Sequence, residues 1–74
     1  MTFKEATDQL FDGPDHAVLA EALAVSVATV RQARLNPTAR AYRAPPKDWK
    51  FAVIRLAERE IMRKRDLIQK VRGD

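Results

Sequence analysis

The stretch from residue 16 to residue 35, HAVLAEALAVSVATVRQARL, constrains the fold of this chain more than any other. Its first half carries apolar residues spaced three and four apart, namely Ala17, Leu19, Ala20 and Leu23. Its second half starts a new helical period with Val27, Val30 and Ala33 or Arg34. Ser26 stands between the two halves and offers an N-cap oxygen. The pattern predicts two short helices joined by about three residues, which is a helix-turn-helix.

The residues that carry this pattern are Ala20, then Leu23-Ala24-Val25-Ser26 around the turn, then Thr29-Val30 in the second helix. In these residues the chain resembles the lambda-repressor-like, Cro-type helix-turn-helix family of small bacterial and phage DNA-binding proteins. The resemblance covers residues 1–35 and extends only loosely to the proline-containing remainder. It departs at Ala24, where the family usually has glycine, and an alanine with positive φ costs about 1 kcal/mol. We therefore expect a slightly reshaped turn.

The chain as a whole is predicted to be one all-α domain over residues 1–74, with three short helices and a long C-terminal helix. The predicted capping residues are Thr2 with Glu5 for the first helix, Asp15 for the second and Ser26 for the third. The predicted stops are Gly13-Pro14 after the first helix and Asn36-Pro37 after the third. The first helix covers the core with Phe3, Ala6, Leu10 and Phe11.

Residues 48–72 contain neither glycine nor proline, and their apolar residues recur at helical spacing. A continuous helix over this range is about 37 Å long, more than three short helices can cover. We expect Trp49 to anchor its first half in the core, rather than to stack on a base. The outer half then needs another partner, most simply the same helix of a second subunit. The expected dimer interface is Ile61, Leu67, Ile68 and Val71. A break near Met62-Arg63 that folds the tail back is the alternative.

The loop at residues 36–47, NPTARAYRAPPK, is proline-containing and basic. Each proline disfavours helix at the residue before it, which predicts extended structure. One interpretation is a loop that contacts the DNA backbone beside the third helix. The other is a solvated connector whose Tyr42 packs on the core.

Charge changes sign within the predicted third helix. Residues 1–30 have a net charge of −4 and residues 31–74 one of +8, with the change at Arg31. This puts positive potential where a helix-turn-helix meets phosphates, so the preferred partner is double-stranded DNA.

The second helix of such a motif lies in the major groove and presents its outward residues to base edges. Counted from Ser26 as N-cap, and matching the positions that the resemblance implies, the base-facing set is Val27, Ala28, Arg31, Gln32 and Leu35. Arg31 can bond guanine O6 and N7, and Gln32 can bond adenine N6 and N7. Val27 has an alternative, which is to turn inward and join the core.

Phosphate contacts would position the domain without reading sequence. The candidates are His16, Ser26, Thr29, Arg34, Arg40, Arg43 and Lys47. His16 is placed there by the N-terminus of its helix, which favours anions, and by the polar residue that the family often has at this point. An exposed histidine without a partner is the other interpretation of His16.

These features predict a DNA-binding transcriptional regulator of Cro or repressor type, acting as a homodimer. The alternative is a protein-interaction module, antitoxin-like for example, that uses the last helix. An enzyme is disfavoured because the chain has one histidine, no cysteine and no glycine-rich loop, and we expect no cofactor, metal or small-molecule ligand. The absence of cysteine fits a cytoplasmic, nucleoid-associated protein. No apolar run approaches a membrane span, and the N-terminus is not signal-like.

Overall fold

A computed structural model describes residues 1–10 and 15–73, and these residues form four helices and no strand. The helices are α1 (Phe3–Leu10), α2 (His16–Leu23), α3 (Val27–Ala33) and α4 (Trp49–Gly73). The predicted all-α fold, with three short helices and a long last one, is therefore confirmed. The predicted stop at Gly13-Pro14, and the place of Phe11 on the first helix, lie outside the described residues.

Each of the first three helices begins at the residue expected to cap it. Thr2 Oγ1 accepts a hydrogen bond from the Glu5 amide at 3.1 Å, and its hydroxyl donates to Glu5 Oε1. Asp15 Oδ1 accepts from the Val18 amide at 3.2 Å, and Ser26 Oγ accepts from the Thr29 amide at 3.1 Å. These bonds satisfy amides that have no partner within the helix, which is why short polar residues fix the starting points.

The turn between α2 and α3 is held by a left-handed alanine. Ala24 has φ 58° and ψ 42°, the only positive φ of a non-glycine residue in the described part of the chain. The Val25 amide donates to Ala20 O and the Ala24 amide donates to Glu21 O, which is a Schellman arrangement. Ala24 thus adopts the geometry that glycine favours, and the expected reshaping of the turn is not observed.

The core lies where α1, α2 and α3 meet the first two turns of α4. Its most buried apolar side chains are Leu19 and Val30, each 1% exposed. The Phe3 ring meets the Trp49 ring edge-on with the ring centres 5.4 Å apart, so Trp49 joins the core as expected. The short helices α1, α2 and α3 are therefore stabilised by packing on one another and on α4, rather than by helix propensity alone.

α4 is continuous and runs beyond the core. Leu56 is its last buried residue, and every residue from Ile61 to Gly73 is exposed. The radius of gyration is 14.5 Å, against about 11 Å for a compact chain of this length. The alternative with a break at Met62-Arg63 is excluded. We call residues 1–10 and 15–60 the head, and Ile61–Gly73 the outer half of α4.

Candidate nucleic-acid interface

α3 is oriented by two buried residues, Val30 and Ala33, which face the core. At 100° per residue, the opposite side of the helix carries Ala28 and Arg31, and both are exposed. Gln32 lies at the edge of this side and is half-buried. The structure thus brings together a small apolar side chain, a guanidinium and an amide on one outward face, which are three of the five residues predicted to meet bases.

The other two predicted base-facing residues lie elsewhere, and these expectations are corrected. Val27 is half-buried and packs against the core, which is the inward alternative. Leu35 follows the end of α3, since the helix ends at Ala33 rather than at residue 35, just before the predicted stop at Asn36-Pro37. The Leu35 amide donates to Gln32 O in a tightened last turn. Leu35 therefore lines a groove with Pro37 and Tyr42 instead of continuing the outward face of α3.

Ser26 and Thr29 form a hydroxyl pair at the start of α3. Their oxygens are 2.9 Å apart, and Ser26 Oγ also accepts from the Thr29 amide. Ser26 is exposed and Thr29 is half-buried. One hydroxyl hydrogen of the pair serves the bond between them, so the other is left to donate outward. The hydroxyl pair thus offers one hydrogen-bond donor at the exposed start of α3.

Arg34 is turned into the head, which corrects its assignment to phosphate. Its side chain is 11% exposed, and its Nε donates to Thr7 Oγ1 at 2.9 Å. Its other nitrogens lie against Asp8 and against His16 Nε2, the latter at 3.3 Å. The guanidinium therefore joins α1, α2 and the end of α3. It is occupied by partners within the chain.

The same cluster accounts for His16 and for the Asp8 carboxyl. His16 is half-buried and has Arg34 as a partner, so neither a free phosphate ligand nor an unpartnered histidine describes it. The Lys4 ammonium donates to Asp8 Oδ2 at 2.9 Å, and this bond, helped by the Arg34 guanidinium, lowers the pKa of Asp8 from its ordinary value. His16 is thus part of the internal packing rather than of the outward surface.

The loop at residues 36–47 is fixed by its own hydrogen bonds and tied to α3. Asn36 Oδ1 accepts from the Thr38 amide at 3.0 Å, and Asn36 O accepts from the Ala39 amide at 2.8 Å. The Arg43 amide donates to Gln32 O at 3.4 Å, which holds the loop beside the end of α3. Each interpretation of the loop agrees with one observation. Tyr42 is half-buried, as the connector interpretation expects. The basic residues are exposed, as the DNA-contacting interpretation expects, and they are Arg40, Arg43 and Lys47.

The basic loop adjoins the end of α3 through the bond from the Arg43 amide to Gln32 O, and we call a set of exposed and half-buried residues on the two segments the α3–loop surface. It consists of Ser26, Ala28, Thr29, Arg31, Gln32, Arg40 and Arg43. Lys47 is exposed at the far end of the loop, just before α4, and no hydrogen bond among the described residues ties it to α3. The structural role of Arg34 could have been found in the sequence, because the spacing of Val27, Val30 and Arg34 puts all three on one side of a helix.

The four residues expected at a dimer interface lie exposed on the outer half of α4. Leu67 is 53% exposed and Ile68 is 49% exposed, and Ile61 and Val71 are similarly open. The neighbouring cations Arg63 and Lys64 each lie 3.7 Å from a Glu60 oxygen. The apolar side chains of the outer half therefore make no contact with the core of the head.

Within the described residues, no three His, Cys, Asp or Glu side chains cluster as metal ligands would. None of the helices described is both long and apolar enough to cross a lipid bilayer. Comparison of the chain with protein-family models, with curated proteins and with solved structures finds no significant match. Function is therefore inferred from the residues and their arrangement alone.

Proposed function

We propose that this chain is a sequence-specific DNA-binding protein that places α3 in the major groove and acts as a homodimeric transcriptional regulator. The observation that carries the proposal is the arrangement of α3. Val30 and Ala33 fix one side of the helix in the core, and Arg31 stands on the opposite side with a cationic loop hydrogen-bonded to the helix end. An arginine on a rigid helix is the commonest means of reading guanine in the major groove.

The residues of the α3–loop surface take two roles in this proposal. Arg31 and Gln32 read base edges by paired hydrogen bonds, and Ala28 contacts a thymine methyl group. Ser26, Thr29, Arg40 and Arg43 contact phosphates and set the position of α3, with Lys47 as a further cation. As a DNA-binding protein it would act in the cytoplasm, on the nucleoid.

The first experiment selects binding duplexes from a random-sequence pool and then measures affinity by fluorescence anisotropy. We expect Arg31→Ala to weaken binding to the selected duplex by about 1 to 3 kcal/mol and to relax the base preference at one position of the site. Arg59→Ala is the matched control, because Arg59 is an exposed arginine on α4, away from α3. Equal affinity of Arg31→Ala and the control would refute the assignment of α3.

Salt dependence tests the phosphate contacts. Three loop cations predict that log K falls with log salt at a slope of about −3 per subunit. Arg43→Ala should reduce that slope by about 1 while leaving the sequence preference intact. A binding constant that does not respond to salt would exclude phosphate contacts by the loop.

A protein-interaction module is the second candidate, and one observation favours it. Apolar side chains such as Met62 and Leu67 are more than half exposed on the outer half of α4. A partner protein held by these side chains would bind through apolar contact, so its affinity would change little with salt. A salt-insensitive complex with protein, together with no affinity for duplex DNA at low salt, would favour this candidate.

A further inference from the structure

We propose that two copies of the chain dimerise through antiparallel α4 helices, so that the outer half of each copy lies in the groove between α1 and α4 of the other. This rests on the homodimer of the proposed function and gives it a geometry. The groove is 470 Å³ in volume. Its apolar lining includes Ala6 and Leu10 from α1 and Val53, Ala57 and Ile61 from α4.

The groove and the exposed face of the outer half form one stripe on α4. Ile54, Ile61 and Ile68 recur every seven residues, and Ala57, Lys64 and Val71 recur between them. A seven-residue repeat of this kind is the pattern by which two helices pack side by side. The stripe begins beside α1 and continues past the end of the head, so one long apolar partner could cover all of it.

The exposed area of the chain leaves room for a partner of that size. The accessible surface is 5879 Å², whereas a compact protein of this mass has about 4,600 Å². The surplus of about 1,300 Å² exceeds the roughly 800 Å² that each partner contributes to an ordinary stable interface. A second copy can therefore be accommodated without disturbing the head.

Charge decides the direction of the second helix. The outer half carries Asp66 against five basic residues, which are Arg63, Lys64, Arg65, Lys70 and Arg72. A parallel pair would place these two cationic segments side by side, with Lys64 opposite Lys64. An antiparallel pair instead places each cationic segment beside residues 54–60 of the other copy, where Glu58 and Glu60 balance Arg55 and Arg59. This removes most of the repulsion between the two cationic segments, so the antiparallel direction is favoured.

The repeat also fixes the register of the antiparallel pair. Ile54 meets Val71, Ile61 meets Lys64 and Ala57 meets Ile68 of the second copy, and each pair occurs twice by symmetry. Lys64 covers Ile61 with its methylene stem while its ammonium stays near Glu60. Glu58 then lies beside Arg65 of the second copy, and this pair also occurs twice by symmetry. The two heads sit at opposite ends, with their Val53 positions about 28 Å apart along the axis.

Disulfide trapping tests the direction, because the chain has no cysteine of its own. Ile54 and Val71 are exposed, so Ile54→Cys and Val71→Cys should fold, and circular dichroism checks that they do. We expect a mixture of the two variants to form a crosslinked dimer under mild oxidation, and each variant alone to form little. Efficient crosslinking of Val71→Cys alone would show a parallel pair and overturn the proposal. No crosslink in the mixture would overturn it too.

Charge reversal tests the register in solution, by sedimentation equilibrium without DNA. Glu58→Arg and Arg65→Glu should each weaken the dimer roughly tenfold, because each turns two attractive pairs into repulsive ones. The double variant should recover to within about threefold of the original chain. Asp66→Arg is the control for Glu58→Arg, since it makes the same change of charge on the opposite side of α4 from Ile68 and should have little effect.

A dimer of this kind should form at concentrations of about 100 μM or below. A chain that is still monomeric at about 100 μM would therefore contradict the proposal. Failure of the double variant to recover dimer affinity would contradict it too. These measurements contain no DNA, so they fail independently of the proposed function. A dimer with this geometry whose Arg31→Ala variant binds DNA unchanged would leave the α4 pairing intact and refute only the role of α3.

Discussion

The head and the outer half of α4 are built from similar residues, yet only the head gives them partners. Leu19 in the head is 1% exposed, and Leu67 in the outer half is 53% exposed. Arg34 in the head is bound on three sides by Thr7, Asp8 and His16, whereas Arg63 in the outer half has only Glu60, at 3.7 Å, among the described residues. The head is thus determined by contacts within the chain, and the outer half is a helix whose side chains are exposed on every side.

The two regions also carry their positive charge differently. In the head, Arg31 lies exposed on a helix that is fixed by the core, and the Arg43 guanidinium donates to Tyr42 O at 2.8 Å within its loop. In the outer half the cations surround a helix that has no packed side. A rigid helix can hold a guanidinium at the edge of one nucleobase, whereas an unpacked helix offers only general attraction to polyanions. This difference supports the proposal that the head reads DNA sequence and that the outer half mediates assembly.

The largest difference expected is in core truncation. Leu19→Ala should destabilise the monomer by about 2 to 5 kcal/mol, because it leaves a cavity between four packed helices. Leu67→Ala should leave the monomer within about 0.5 kcal/mol, since its side chain is exposed. Urea unfolding at low protein concentration measures both, and comparable losses would contradict the division into head and outer half.

The next largest effect distinguishes the ion pair of Arg34 with Asp8 in the head from that of Arg63 with Glu60 on α4. Arg34→Met should lower the free energy of unfolding by about 1 to 2 kcal/mol, because the buried Thr7 hydroxyl loses a charged hydrogen-bond donor. Arg63→Met should change it by almost nothing, as expected for an exposed pair. Thermal unfolding followed by circular dichroism distinguishes them. An Arg34→Met variant that is fully stable but binds DNA less tightly would show that Arg34 contacts phosphate rather than stabilising the fold.

A smaller effect, of opposite sign, is expected at the turn of the head. Ala24→Gly should stabilise the chain by up to about 1 kcal/mol, because glycine adopts the left-handed conformation without the Cβ clash that alanine carries. The gain is reduced by the greater freedom of glycine in the unfolded chain. Denaturant titration measures it, and a clear loss of stability would mean that Ala24 does not hold a positive φ in solution.

The smallest effect concerns acid stability of the head. The pKa of Asp8 is lowered in the folded chain by Lys4 and Arg34, so Asp8 stabilises the fold above its ordinary pKa of about 4. That contribution is lost as the pH falls through the folded pKa. The midpoints of thermal unfolding of the original chain and of Asp8→Asn should therefore differ at pH 7 and converge at about pH 2. A difference that is the same at both pH values would contradict the pairing.

Local signals in the sequence predicted most of the fold. Asp15 and Ser26 cap α2 and α3 as expected, because a cap acts over three residues and can be read from the order of residues alone. The continuity of α4 follows equally from the lack of glycine and proline in residues 48–72. The contact between Arg34 and Asp8 joins residues 26 apart, and no local pattern specifies such a pair.

The outward face of α3 was predicted only in part, for a physical reason. Ala28, Arg31 and Gln32 follow from helical period once Val30 is known to be buried. Val27 lies on the boundary between core and solvent, and only the packing of α2 and α3 decides its direction. The predicted outward position of Leu35 depended on how far α3 extends. The tightened turn at Arg34 ends the helix before Leu35.

The most direct test of the central claim is an NMR titration of the isotopically labelled chain with short duplex DNA at low and moderate salt. We predict that amide shifts concentrate at residues 26–32 and 40–47, and that residues 61–73 stay unchanged at moderate salt. Shifts confined to residues 61–73 would instead mean that the cationic outer half binds DNA without reading it. No shifts at low salt would contradict DNA binding by either region.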